Sequence, residues 1–137
     1  MDFQLNEQLA RDCYVLGRNG SCQLLLHRNA LYPWFILVPE CVESEFYRLD
    51  TALQNKVMAL INLVSRFIEN HFTIDKLNIA AIGNIVAQLH IHVIGRRRDD
   101  PAWPGVVWGT TQSAAYTPER IAEIKSWLDA EYFYHAD

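Results

Sequence analysis

Cysteine is sparse in this chain and poorly spaced for chemistry. Cys13, Cys22 and Cys41 form no CxxC pair and leave an odd number, which speaks against a disulfide framework and a thiolate metal centre. Reduced, buried thiols are expected instead. Long apolar runs are missing as well: none approaches the ~18 residues of a membrane-spanning helix, so no membrane partner is expected. The opening residues MDFQLNEQLARDC lack a basic start followed by an apolar stretch, so no secretory leader is read and the expected location is cytoplasmic. Positive charge is not in excess either. With 12 Lys and Arg against 16 Asp and Glu, the net charge of -4 gives no global attraction to nucleic acid, and no such partner is expected. Internal repeats, low-complexity tracts and Gly/Ser linkers are absent too, so the 137 residues read as one domain, 1–137, able to bury roughly two thirds of its unfolded surface.

The apolar pattern gives the elements. A short helix is expected around residues 6–12, followed by two strands, CQLLLHR and WFILVPE, close enough to form an antiparallel pair. From Ser44 to Phe72, Phe46, Leu49, Leu53, Val57, Leu60, Ile61, Val64, Phe67 and Ile68 recur at helical spacing. Ser44 can cap this helix, and Asp50 before Thr51 offers a second cap and a break into a short and a long segment. Two further strands, KLNIAAIG and AQLHIHVIG, are joined tightly around Gly83 and Asn84, too closely for a crossover helix, and are read as antiparallel. DDPAWPGVVWG is an irregular arm. Thr117, Pro118 and Glu119 then open a C-terminal helix over about 117–132. Strands and helices are segregated, so the class is α+β, with an antiparallel sheet of about five strands and one long helix.

The stretch VAQLHIHVIGRRR carries the chemistry. On a strand, Leu89, Ile91 and Val93 face a core while Gln88, His90 and His92 share the opposite face, with the two histidines about 7 Å apart. A histidine that attacks phosphorus needs one ring nitrogen unprotonated, the other fixed by a hydrogen bond, and donors around the phosphoryl oxygens; Gln88, Asn84 and nearby amides are candidates for the last. Two other readings fit the bare motif. The histidines can be satisfied members of a half-buried strand, or a metal pair, although His27, His71 and His135 lie in unrelated segments and offer no obvious third ligand.

On GNIVAQLHIH and the strand pair LLLHRNALYPWFILVP, the chain resembles the histidine triad (HIT) superfamily of nucleotide hydrolases and transferases, over roughly residues 14–109. It is similar to it as a variant with QxHxH in place of HxHxH. In that family three histidines alternate on one strand and the middle one accepts a nucleoside monophosphate. The resemblance therefore makes His90 the nucleophile, with His92 and Gln88 beside it, and gives Asn84 a phosphate contact. His27 stands where the family binds the ribose hydroxyls, Asn78 where it often has an asparagine, and Trp34 and Phe35 replace its usual Gly and His. GRRRDDPAWPG is similar to the arm of the phosphoramidase branch. A glutamine cannot exchange a proton near neutral pH, so any such role at position 88 is lost.

What the resemblance implies is a homodimer with a continuous sheet, and a hydrolase or nucleotidyl transferase acting on a small-molecule nucleotide. It would attack the α-phosphate of a phosphoanhydride such as a dinucleoside polyphosphate, or of a phosphoramidate, through a nucleotidyl-histidine. No metal or cofactor is implied, and magnesium enters only with the substrate. A catalytically weak nucleotide-binding or sensing protein is the alternative. Arg96, Arg97 and Arg98 read either as outer-phosphate contacts or as solvated charge, and Trp103 and Trp108 as packing residues or base stackers.

Overall fold

The computed structural model describes residues 2–128 and 132–134. Asn6 starts the first helix, α1 (Glu7–Asp12), by accepting a hydrogen bond from the Gln8 amide. The chain then extends at once into β1 (Cys13–Asn19), turns through Gly20 and Ser21, and returns as β2 (Cys22–His27). Gly20 supplies the positive φ of 56° that this two-residue turn uses. β3 (Trp34–Pro39) pairs antiparallel with β2, as the sequence predicts. β1 has no counterpart in the sequence reading: Gly17 and Arg18 interrupt its alternation, and its register shifts between Val15 and Gly17.

The long helical stretch resolves in favour of the second cap. A short 3-10 turn at Phe46–Arg48 precedes the helix α2 (Thr51–His71), where the Asp50 carboxylate accepts from the Leu53 amide. After α2 come β4 (Lys76–Ala80) and β5 (Ile91–Arg96), an antiparallel pair. Their connection is not the tight turn expected around Gly83 and Asn84: residues 81–90 all lie outside the ladder, because neither β3 nor β4 pairs beyond Ile91. The last helix, α3 (Pro118–Trp127), is capped by the Thr117 hydroxyl and ends at Trp127, with extended Leu128 as its C-cap, short of the expected 132. His135 and residues 129–131 lie outside the described residues, while Tyr134 bridges back to Arg18 on β1.

All five strands form one antiparallel sheet in the order β1-β2-β3-β5-β4. Phe35, Leu37, Ile91 and Val93 face the core made with α2 and α3. Trp34, Ile36, Val38 and Ile94 face a second core, shared with Leu9 of α1 and Val107 of the arm. With both faces covered, β3 and β5 are buried at every position, so a polar side chain on β5 is a sheltered one. Gly95 marks the tightest approach. A Cβ there would stand 2.7 Å from Ile74 Cγ2 and from Pro33 Cγ. Among the described residues, no helix is long and apolar enough to cross a membrane. Cys13 and Cys22 are free and buried, and burial above all pushes their thiols up to about 12 and about 11.

Candidate active site

The second core opens into a cavity of about 520 Å³ that collects His27, Trp34, Asn84, His90, His92 and Trp108 from four separate parts of the chain. A larger groove, about 660 Å³ along residues 69 and 72–77, holds no histidine. Strand alternation delivers His92, which faces Trp34 and Ile36 across the sheet. His90 sits one residue ahead of β5, yet its ring centre is 4.9 Å from that of His92. Both residues are buried.

Each imidazole has a partner that fixes its tautomer. Trp34 Nε1–H donates to His92 Nδ1 at 2.9 Å, and since an indole nitrogen only donates, the neutral His92 ring must carry its proton on Nε2. His90 Nδ1 lies 2.6 Å from the Gln88 carbonyl oxygen, which only accepts, so Nδ1 carries the proton and Nε2 of the neutral ring keeps its lone pair. The adjacent rings therefore do opposite things: His90 presents a nucleophilic nitrogen and His92 an N–H donor. His27 Nδ1 accepts from the Asn29 amide at 3.1 Å, leaving a second Nε2–H, and its ring stacks on Trp34 with centroids 3.9 Å apart. Trp108 closes the cluster edge-on to Trp34 and His92, packing against the core and lining the cavity at once.

Burial first, then the neighbouring His90 and His27, push the His92 pKa down to about 3. Burial also lowers that of His27, with Asp12 opposing. A ring whose folded pKa lies below its unfolded one stabilises the fold fully above the unfolded pKa, and that stability is lost as pH falls toward the folded value. From about pH 7 to about pH 5, His92 alone is expected to account for about 2 kcal/mol of lost stability. Urea unfolding at the two pH values should give a flatter dependence for His92→Asn than for the wild type. Equal slopes would mean that His92 is not held neutral.

Not every residue expected at the site is there. The Gln88 side chain was expected on a phosphate oxygen, but its Oε1 accepts from the Asn6 amide at 2.8 Å and its Nε2 donates to the Gln4 carbonyl at 2.9 Å. Gln88 is not among the residues that line the cavity. Asn78, expected at the substrate, lies on β4 and accepts from Arg96 Nη1. Arg96 is neither solvated nor at the cavity: it is buried, with both Nε and Nη2 on Asp100 at 2.8 and 2.9 Å. Arg97 pairs with exposed Asp99. Asn84 does reach the cavity, exposed at its rim. Sequence reasoning missed the α1 wall of Gln8, Leu9 and Asp12, and the Trp34 indole as the group that orients His92. Neither leaves a local signal. No Lys or Arg is among the described residues that line the cavity, and no group of three metal-ligating side chains occurs among the described residues.

The HIT domain model matches residues 8–99. This chain belongs to the HIT family. A histidine triad protein from Sinorhizobium meliloti 1021 is similar over 92% of this chain and 94% of its own, at 38% identity and a TM-score of 0.88. One from Marinobacter aquaeolei VT8 is 41% identical, covering 91% and 92%, with a TM-score of 0.86. A hypothetical histidine triad nucleotide-binding protein from Sulfolobus tokodaii strain 7, at 16% identity over 84% of this chain and 80% of that one, shares the fold with a TM-score of 0.63. No curated protein matches. The alternating motif of this HIT-family chain reads QLHIH, with Gln88, His90 and His92 at alternate positions.

Proposed function

We propose that this HIT protein transfers or hydrolyses nucleotidyl groups, with His90 as the nucleophile. The observation that carries the reading is the pair of opposite tautomers: a carbonyl fixes the proton of His90 on Nδ1, and an indole fixes that of His92 on Nε2. His90 Nε2 attacks the α-phosphorus of a nucleoside phosphoramidate or phosphoanhydride, a dinucleoside polyphosphate included. An N–P bond forms as the bond to the leaving group breaks; the amine of a phosphoramidate takes its proton from solvent water, and the phosphate of an anhydride departs as its anion. Water then attacks phosphorus, the N–P bond breaks, and the nucleoside monophosphate leaves. His92 Nε2–H and Asn84 donate to the non-bridging oxygens.

With no Lys or Arg among the described residues that line the cavity, these neutral donors carry the charge stabilisation, and magnesium arrives with the substrate. The aromatic wall of Trp34, stacked His27 and Trp108 suits a nucleobase or its sugar. A homodimer through β4 fits this reading: among the described residues that strand pairs only with β5, and Ile79 on it and Ile82 and Ile85 beyond it are exposed, whereas Tyr134 covers part of the opposite edge at Arg18.

The test is release of nucleoside monophosphate from adenosine phosphoramidates and dinucleoside polyphosphates, followed by chromatography. Release is expected from at least one class. Calorimetric binding of adenosine monophosphate without any release would replace this reading by a nucleotide sensor.

A further inference from the structure

Gln88 does two jobs at once, and they involve different atoms. Its main-chain carbonyl accepts the hydrogen bond of His90 Nδ1–H, with nitrogen and oxygen 2.6 Å apart. Its side-chain amide meets the Gln4 carbonyl and the Asn6 amide, the two main-chain groups that flank Leu5, more than eighty residues away along the chain. We propose that Gln88 is a positioning residue, whose carboxamide fastens the N-terminal segment, and with it the α1 wall of the cavity, to the carbonyl that orients the nucleophile. The proposal rests on the reading of His90 as that nucleophile.

The chemistry of the side chain makes it specific. A carboxamide offers an acceptor and a donor side by side on one planar group, so it can take up a main-chain N–H and C=O that point the same way. Glutamate accepts from Asn6 but has no donor for Gln4 near neutral pH, and it sets a charge against a carbonyl oxygen. Histidine has one donor and one acceptor, pointing away from each other on a rigid ring, and cannot engage both groups. An amide at position 88 is therefore a replacement with a use of its own and not a triad histidine that has been lost.

What it holds in place matters to the site. Leu5, between the two bonded groups, packs on the core that contains Leu9, Trp34 and Val107. Asn6, fixed through its amide, caps α1 through its side chain. Gln8, Leu9 and Asp12 of that helix line the cavity opposite the histidines. A helix of six residues does not hold itself together in water, so it depends on such anchors. Release of the amide should loosen the wall and, through the backbone of residue 88, weaken the preference of His90 for the Nδ1-protonated form.

Gln88→Ala, Gln88→Glu and Gln88→His are compared with the wild type by three measurements. Amide hydrogen exchange over residues 4–12 should speed up about tenfold or more in all three variants, while β3 and β5 amides keep their protection and show that the fold persists. The His90 ring nitrogen resonances should move from the Nδ1-protonated pattern toward a mixture of tautomers in Gln88→Ala. Turnover should fall in Gln88→His as it does in Gln88→Ala, with KM for the nucleotide rising. Unchanged exchange over residues 4–12 in Gln88→Ala would overturn the proposal, and so would a Gln88→His variant as fast as the wild type or faster. If the wild type releases no nucleotide, the nucleotidyl-transfer reading fails on its own, and exchange and ring resonances still decide the role of Gln88.

Discussion

His90→Ala is expected to lower nucleoside monophosphate release by about 10⁴-fold or more, because removing a nucleophile removes the covalent route and not one contact among several. Neighbouring His92 cannot take over. Its Nδ1 is occupied by the Trp34 indole proton and its Nε2 is protonated, so the neutral ring has no free lone pair to offer. Nucleotide affinity should change only a few-fold, since the aromatic wall and the remaining donors stay in place. Chromatography for turnover and calorimetry for binding separate the two effects. The variant also leaves a space of imidazole size, and added imidazole should restore part of the release. Release at wild-type rates in His90→Ala would show that the reaction does not pass through this residue.

The parts of this fold that were legible in the sequence are those where one physical constraint acts alone. α2 could be read because its apolar stripe repeats without a break from Leu53 to Ile68, and its true start follows from Asp50, a carboxylate placed three residues ahead of an amide it can accept from. β2, β3 and the pairing of β4 with β5 follow from apolar runs bounded by turn residues. The candidate site was half legible. His90 and His92 do converge, but only His92 lies on the strand, because the ladder that enforces alternation ends at Ile91. Without ladder partners the backbone of residues 86–90 is free to turn the Gln88 side chain away from the histidines. The same limit explains Arg96. Its position on the inward face of β5 could be counted, but its burial depends on the arm folding back to bring Asp100 and Trp103 over it. Trp34, too, reads as one more core residue until its indole nitrogen is seen at His92.

Asp100→Ala is expected to have the largest effect on stability, about 3–5 kcal/mol, because it leaves a buried guanidinium without its counter-charge. Arg96 is 1% exposed. Without Asp100 its guanidinium keeps, among the described residues, only the Asn78 oxygen and the ring faces of Tyr32 and Trp103, 5.5 and 5.8 Å away. The reverse change should cost less. In Arg96→Met the carboxylate still accepts from the amides of Arg97, Ala102 and Trp103, which were satisfying it all along. Burial works against the ionised Asp100, but Arg96 together with the Arg97 and Trp103 amides more than offsets it and holds the carboxyl below the usual carboxylate range. Its contribution is therefore present above the unfolded pKa of about 4 and lost as pH falls through the lower folded value. Calorimetric melting near neutral pH should show Asp100→Ala well below Arg96→Met, and the double variant Arg96→Met/Asp100→Leu above Asp100→Ala, since no charge is then left stranded. Because Trp108 sits on the arm that this pair anchors, with its ring 5.0 Å from His92, Asp100→Ala should also weaken nucleotide binding at temperatures where the protein is still folded. Equal melting of the two single variants would mean that the amides, and not the guanidinium, decide the state of Asp100.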